Sequence, residues 1–510
     1  MDNENRGSGP ERAAGSPPCD ARRSGAQPRG IDEDSASRRP SAADHACAPG
    51  AEMNALVDSA IRIPKSERRP KLDHQIIAQL TFPNPEFQKR IRFGRNTDGV
   101  PECIELVECD EDGALVIPRG AASILKRAAE ECGELVRFED RRLVCATVRY
   151  ALRLGLRDYQ VEAADALAHH VQGCAVLPCG AGKSAIVLGA IERVGQPALI
   201  IVHTRDLVEQ WVANVRSGFG VEPGVIAEGQ VRLADVTVAT IQSLAALNEV
   251  TLAAVAARFG CVVVDEAHHT GAASYRVILA RLPAKYRFGV TATPDRADGL
   301  GEFLELNVGK IVYRLDAQAL IDAGHLMVPR VEVVHTGARP HAEEDFAALV
   351  SELTGDPDRN RLLLSIMERE AAAGHTVLVL TGRVEHAHAL ACAALRAGVR
   401  AASLTGETAK KIRTQVLARF KAGGLDVLCA TTIADEGLDV TRLSRLVLAT
   451  PAKAQGRIIQ RLGRLMRPHE GKGQPVLYDL VDDHPIAARH HHDRLRAYRA
   501  VLGAEAVPFT

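Results

Sequence analysis

LPCGAGKS (177–184) follows a continuous apolar run, CAVLP (174–178), and opens a helical pattern. That strand-to-helix context is what a phosphate-binding loop requires. Gly180 and Gly182 let backbone N–H groups approach phosphates, helped by the positive end of the following helix. Lys183 is placed to reach the β- and γ-phosphates, and the Ser184 hydroxyl to ligate Mg²⁺. Pro178, Cys179 and Ala181 complete the loop. The general pattern wants a glycine where this chain has Leu177, so the match is incomplete. The alternative is an ordinary glycine-containing turn.

VVVDEAHH (262–269) is the natural partner of such a loop. A carboxylate at the end of a buried strand can hold a metal's water shell. Asp265 is therefore assigned to Mg²⁺, and Glu266 to polarising an attacking water. The alternative, a solvated acidic strand end, does not account for strand, Asp and upstream loop occurring together in this order. His269 and the triple His490–His492 suggest metal, but three consecutive helical residues point in different directions. That cluster is expected to be a solvated helix face.

Working outward, ALIIVH (198–203), VTVAT (236–240), CVVVD (261–265) and RFGVTAT (287–293) are further apolar runs of strand length. Continuous apolarity implies strands buried on both faces, as in a parallel α/β sheet. The pattern recurs in TVLVLT (376–381), RAASLT (400–405), DVLCAT (426–431), SRLVLAT (444–450) and PVLYDLV (475–481). Two α/β units in series follow, at 151–327 and 346–510, with 328–345 as linker and a last helix from about 485 to 501. Residues 1–70 are rich in Gly, Pro, Ser, Ala and Arg and are expected to be a disordered tail. Between them, at 71–150, CIELVEC (103–109), ALVIP (114–118) and SILKRAAEEC (123–132) read as strands and a short helix of a small α+β domain.

The chain has 510 residues and a formal charge of −1. Any nucleic-acid binding must then come from local grooves, because no global basic charge supplies it. Eleven cysteines occur singly, with no CxxC pair, which argues against structural zinc or a disulfide framework. No apolar run approaches the ~20 residues of a membrane span. The expected compartment is the cytoplasm.

With these motifs in order, the chain resembles the superfamily 2 DEAH-type helicases, in particular the XPB/RadD/UvsW-like branch, whose motors have two tandem RecA-like P-loop domains. LRDYQ (156–160) resembles the adenine-side Q motif, which makes Arg157 and Gln160 candidates for the base. HTRDLVEQW (203–211) and TIQSL (240–244) resemble motifs Ia and Ib. The resemblance implies strand contacts by Arg205, Gln242 and, in the second unit, Thr405. TATPDR (291–296) matches motif III and TTIADEGLDV (431–440) resembles motif V, so His268, Thr291, Thr293, Gly437 and Asp439 are implied in coupling. QGRIIQRLGRLMRP (455–468) carries the family's QxxGRxxR as Gln460, Gly463, Arg464 and Arg467. ATP and Mg²⁺ are the implied cofactors. The XPB-specific loop signature is replaced by PDRADGLG, and no zinc-ligand cluster follows the motor.

Motif VI also has a reading of its own. Arg457, Arg461, Arg464 and Arg467 lie near one helix face by their spacing. The second unit lacks a phosphate loop, having TGR (381–383) after the equivalent strand. A domain without nucleotide chemistry that presents arginines fits an arginine finger. Arg464 and Arg467 are assigned as γ-phosphate sensors, and Arg461 to structure or nucleic acid. LTFPNPEFQKRIRFGR (80–95) with LVIPRG (115–120) resembles the leader of motors found beside primase-like proteins in TOTE conflict systems. That resemblance implies a DNA-engaging accessory domain, against the alternative of a structural brace. The expected activity is ATP-driven translocation or unwinding on nucleic acid, with DNA favoured. The competitors are an RNA helicase and an ATP-gated clamp or targeting subunit serving a nuclease or primase.

Overall fold

Strands that are apolar at every position must be covered on both faces, and the two central sheets meet that demand with parallel strands flanked by helices. In the computed structural model the described residues are 51–292, 301–342, 345–431, 440–451, 461–503 and 507. The first sheet runs in the order Gln230–Arg232, Gly224–Ala227, Val236–Thr240, Ala198–Val202, Cys261–Asp265, Tyr286–Thr291, Gln172–Val176, Ile311–Arg314. Its hairpin partner Gln230–Arg232 is antiparallel and the remaining pairs are parallel. The register sets Asp265 beside Val290 and Thr291 beside Val176. Three of the sequence motifs thus leave adjacent strands at the same, carboxyl, edge, where open α/β sheets place their ligands.

The second sheet, in the order Arg330–His335, Val476–Val481, Arg445–Leu448, Val377–Leu380, Val427–Ala430, Ala401–Leu404, is parallel throughout. Two boundaries expected from sequence need correction. Arg330–His335 pairs along its length with Val476–Val481, so residues 330–335 of the expected 328–345 linker form an edge strand. The expected tail to residue 70 is also too long. Ala51–Val57 and Ile61–Ile63 are strands, with Met53, Ile61 and Ile63 fully buried. Composition averaged over 70 residues hides a seven-residue strand.

Those strands belong to a third, five-stranded sheet in the order Glu108–Cys109, Leu115–Ile117, Ile61–Ile63, Ala51–Val57, Glu134–Asp140. Its core takes in Phe303 and Leu306 from the helix Glu302–Asn307, and Phe82 packs on Phe303 with ring centroids 4.9 Å apart. Two buried guanidiniums tie this layer to the first lobe. Arg119 donates to Gln172 Oε1 (3.0 Å) and to the carbonyls of Ala284 (2.6 Å) and Lys285 (2.9 Å). Arg287 donates to the carbonyls of Ser59 (3.1 Å), Leu279 and Leu282 (both 2.9 Å) and Asn307 (2.9 Å). A buried charge needs polar partners of this kind, and although Arg287 Nε has none, these contacts make this face of the small domain a brace on the motor.

The helix Pro485–Leu502 closes the chain's second lobe. The expected solvated face at His490–His492 is corrected here: His490 and His491 are buried. His491 Nδ1 lies 3.1 Å from Asp479 Oδ2, which also accepts from Arg494 Nε and the Tyr498 hydroxyl. A buried aspartate collects the donors that the helix presents. Among the described residues, no helix is long and apolar enough to cross a membrane.

Candidate functional site

The loop after Gln172–Val176 turns through Gly180 and Gly182, at φ 93° and 77°. L-residues rarely adopt that left-handed region. At Gly182 a side chain would also overlap Gln160. The helix Lys183–Val194 then starts with its N–H groups at the loop. Gln160 is buried: its Nε2 donates to the Ala181 carbonyl (3.0 Å) and its Oε1 accepts from Arg157 N–H (3.0 Å). The Tyr159 hydroxyl donates to the same carbonyl at 3.0 Å. The Q-motif segment therefore holds the loop's shape, while Arg157 is exposed beside it.

Lys183 Nζ donates to Glu266 Oε1 at 2.7 Å, with both side chains largely buried. Burial acts to lower the lysine's pKa, but Glu266, Cys179 and Asp265 more than offset it and the net shift is upward. Burial likewise acts against the Glu266 carboxylate, yet Lys183 and His268 hold it well below the usual range. Asp265 moves the other way. Burial and the charge on Glu266 raise it, against Lys183, Trp211 and the Glu266 N–H. The two adjacent carboxylates are thus pushed apart, Asp265 upward and Glu266 downward, with Lys183 holding Glu266 in its charged form. Glu266 itself sits at φ 48°, a strained conformation for a non-glycine residue of the kind that clusters at functional sites.

Around this pair, Ser184 Oγ accepts from Asn214 Nδ2 at 2.9 Å. Asp265 Oδ2 accepts from Trp211 Nε1 at 2.7 Å, and Oδ1 from Glu266 N–H at 2.9 Å. His268 Nδ1 lies 3.0 Å from Thr291 Oγ1, which joins the segment after Asp265 to the start of TATPDR. Hydroxyl and carboxylate oxygens are the donor set that Mg²⁺ prefers, and the site fits that ion.

The second lobe reaches this loop. Gly463 lies so close to Cys179 that a Cβ there would overlap it, and the Gly463 carbonyl and Arg467 Cγ stand 3.3 and 3.7 Å from where a Gly180 Cβ would be. Burial raises the Cys179 thiol, and Arg464 and Arg467 are near enough to oppose that. Arg461 is buried. Lys472 Nζ donates to the Leu465 and Arg467 carbonyls, both at 2.7 Å, and so caps this turn. The lobes also meet through Lys410–Glu209 (2.7 Å) and Arg413–Asp206 (3.9 Å).

The residues expected on the strand path are less uniform. Arg205 pairs with Glu228, and Gln242 Nε2 donates to the His203 carbonyl at 3.1 Å. Thr405 is fully buried and is held by Thr408, so it faces away from solvent. Thr293, Gly437, Asp439 and Gln460 lie outside the described residues. Trp211, Asn214 and Tyr159 were not singled out from sequence. The available signal was HTRDLVEQW ending on the chain's one tryptophan, three residues from Asn214 and hence on the same helix face.

Residues 153–296 match the family model described as type III restriction enzyme, res subunit, and residues 358–469 match the helicase conserved C-terminal domain. The protein named DNA 3'-5' translocase XPB2 of Sulfurisphaera tokodaii is 28% identical over 372 residues, covering 64% of this chain and 82% of that one. A putative DNA 3'-5' helicase Rad25 of Halobacterium salinarum is 31% identical over 387 residues, covering 73% of this chain and 62% of that one. Among solved structures, a fragment of a putative HsdR subunit of a type I restriction enzyme from Vibrio vulnificus aligns with a TM-score of 0.54 at 20% identity. It covers 70% of this chain and 68% of that one, and it speaks to the fold alone.

Proposed function

We propose, for a chain that belongs to the superfamily 2 helicases of the Res/XPB type, that it is an ATP-driven DNA translocase firing at the cleft between its two lobes. The observation that carries this reading is the meeting of Lys183, Asp265 and Glu266 in one buried cluster with the Gly463–Arg467 turn against the same loop. Lys183 neutralises the β/γ-phosphates, and Ser184 and Asp265 hold Mg²⁺. That ion, when bound, supplies charge neutralisation between the phosphates. Glu266 polarises the attacking water. A triphosphate takes Lys183 from Glu266 and so frees the carboxylate for that role. Arg464 and Arg467 complete the charge complement from the second lobe, which makes hydrolysis depend on how the lobes are set. His268 and Thr291 carry the state of the phosphates toward the motif III strand.

DNA is favoured because both relatives above are named for it and because of one surface of the small domain. The helix Pro85–Arg92 buries none of its residues. Ile91 and Phe93 are 60% and 61% exposed, amid Lys89, Arg90, Arg92 and Arg95, and the Arg95 guanidinium lies over Phe93. Guanidiniums contact phosphates and exposed rings stack on unpaired bases. Phe82, just before this helix, packs on Phe303 of the first lobe, which ties the base of the prong to the motor. The test is fluorescence anisotropy with forked DNA and a matched RNA at rising salt. Combined Lys89→Glu and Arg92→Glu should weaken DNA binding and flatten its salt dependence. Unchanged affinity and salt slope would remove the prong from the interface.

A further inference from the structure

The helix Arg205–Phe219 hydrogen-bonds both groups assigned to Mg²⁺. From its inward face Trp211 Nε1 donates to Asp265 Oδ2 at 2.7 Å, and one turn later Asn214 Nδ2 donates to Ser184 Oγ at 2.9 Å. We propose that Trp211 and Asn214 are positioning residues of the metal–ATP site, fixing the rotamers of the aspartate and the serine that hold the ion. This rests on the ATP-site reading above.

The geometry gives each bond a definite job. An indole N–H can only donate, so the Asp265 oxygen it meets is held as an acceptor in one orientation. The other oxygen is held by the Glu266 N–H, and each oxygen keeps a lone pair for a ligand. The Ser184 hydroxyl accepts from Asn214, which orients its remaining lone pair rather than leaving it to rotate. Trp211 is 1% exposed, so its bond to Asp265 does not compete with solvent. Partners of this kind that orient a metal's ligands typically change metal affinity or activity by about 10- to 100-fold when removed. A merely structural tryptophan would cost stability and leave the metal dependence alone.

Trp211 is also the only tryptophan in the chain, so its emission reports on this bond without labelling. In the wild-type full chain, Mg²⁺ added to protein with a non-hydrolysable ATP analogue should shift Trp211 emission, and the analogue in EDTA should not. Trp211→Phe and Asn214→Leu, each keeping bulk and losing the donor, should raise the Mg²⁺ concentration for half-maximal ATP hydrolysis by about 10-fold or more. Their affinity for a fluorescent ATP analogue in EDTA should match wild type. If Trp211→Phe does not fold, Asn214→Leu, whose side chain is only part-buried, carries the same comparison. A half-saturating Mg²⁺ within threefold of wild type in folded variants, with Trp211 emission blind to Mg²⁺, overturns the proposal. Lys183→Ala separates the two levels: undiminished hydrolysis there overturns the ATP site itself, whereas its loss alongside unshifted Mg²⁺ dependence overturns only this inference.

Discussion

Glu266→Gln is the substitution whose outcome the geometry constrains most. The amide keeps size and polarity but removes the charge 2.7 Å from Lys183 Nζ. At an effective dielectric of ~20, opposite charges at that separation attract by roughly 6 kcal/mol before desolvation is subtracted. Removing one partner of a buried pair typically costs about 3–5 kcal/mol. Asp265 also interacts with Lys183 and takes up part of the loss, so a net destabilisation of ~1–3 kcal/mol is expected. A triphosphate supplies the lost negative charge, so the variant should gain more thermal stability from ATP than wild type does. Turnover should fall by about 10²–10⁴, the range for loss of a positioned general base. The assays are thermal unfolding with and without Mg²⁺–ATP, nucleotide titration and steady-state hydrolysis. If ATP affinity falls together with turnover, Glu266 belongs to metal binding and the separation of roles between the two carboxylates is wrong.

Lys183→Ala should leave the fold intact and cut hydrolysis by ~2.7–4 kcal/mol of barrier, by analogy with loss of other preorganised donors; near-wild-type turnover would move the active site elsewhere. Arg464→Ala and Arg467→Ala should retain ATP binding and lose stimulated hydrolysis, with Arg461→Ala milder on turnover; equal loss of nucleotide binding in all three would point to collapse of the 461–466 turn. His386, buried between Thr381 and Asn360, has its pKa lowered from 6.5 to about 4 by burial and by Arg359. The unfolded chain takes up that proton first as pH falls. Stability from this group is therefore complete above pH 6.5 and lost toward pH 4, by up to about 3 kcal/mol. Denaturant unfolding from pH 7 to 4 should show an acid limb that His386→Gln flattens; an unchanged limb would contradict the assignment.

The two parallel sheets and the phosphate loop were legible because their signals are local. An all-apolar run such as CVVVD has to be buried on both faces, and a loop like CGAGKS needs glycines at set positions. What was not legible depends on long-range pairing. Ala51–Val57 owes its place to parallel pairing with the distant strand Glu134–Asp140, and no window of sequence carries that. His490 and His491 look polar in sequence, yet both are buried, His491 against Asp479 and His490 against the Phe346 ring. Thr405 fits a motif position, but it stands just past the strand Ala401–Leu404 and is fully buried beside Thr408. Trp211 is apolar enough to pass for core, and its bond to Asp265 appears only when the helix is laid against the sheet.

The central claim is that DNA sets the lobes for a site built from both of them. Its most direct test is steady-state ATP hydrolysis by the full chain with no nucleic acid, forked DNA, duplex DNA and RNA, run beside Arg467→Ala. DNA should stimulate the wild type well above RNA, and the variant should bind ATP yet stay at its unstimulated rate. Equal stimulation by RNA, or a variant that DNA stimulates as fully as wild type, would contradict the account.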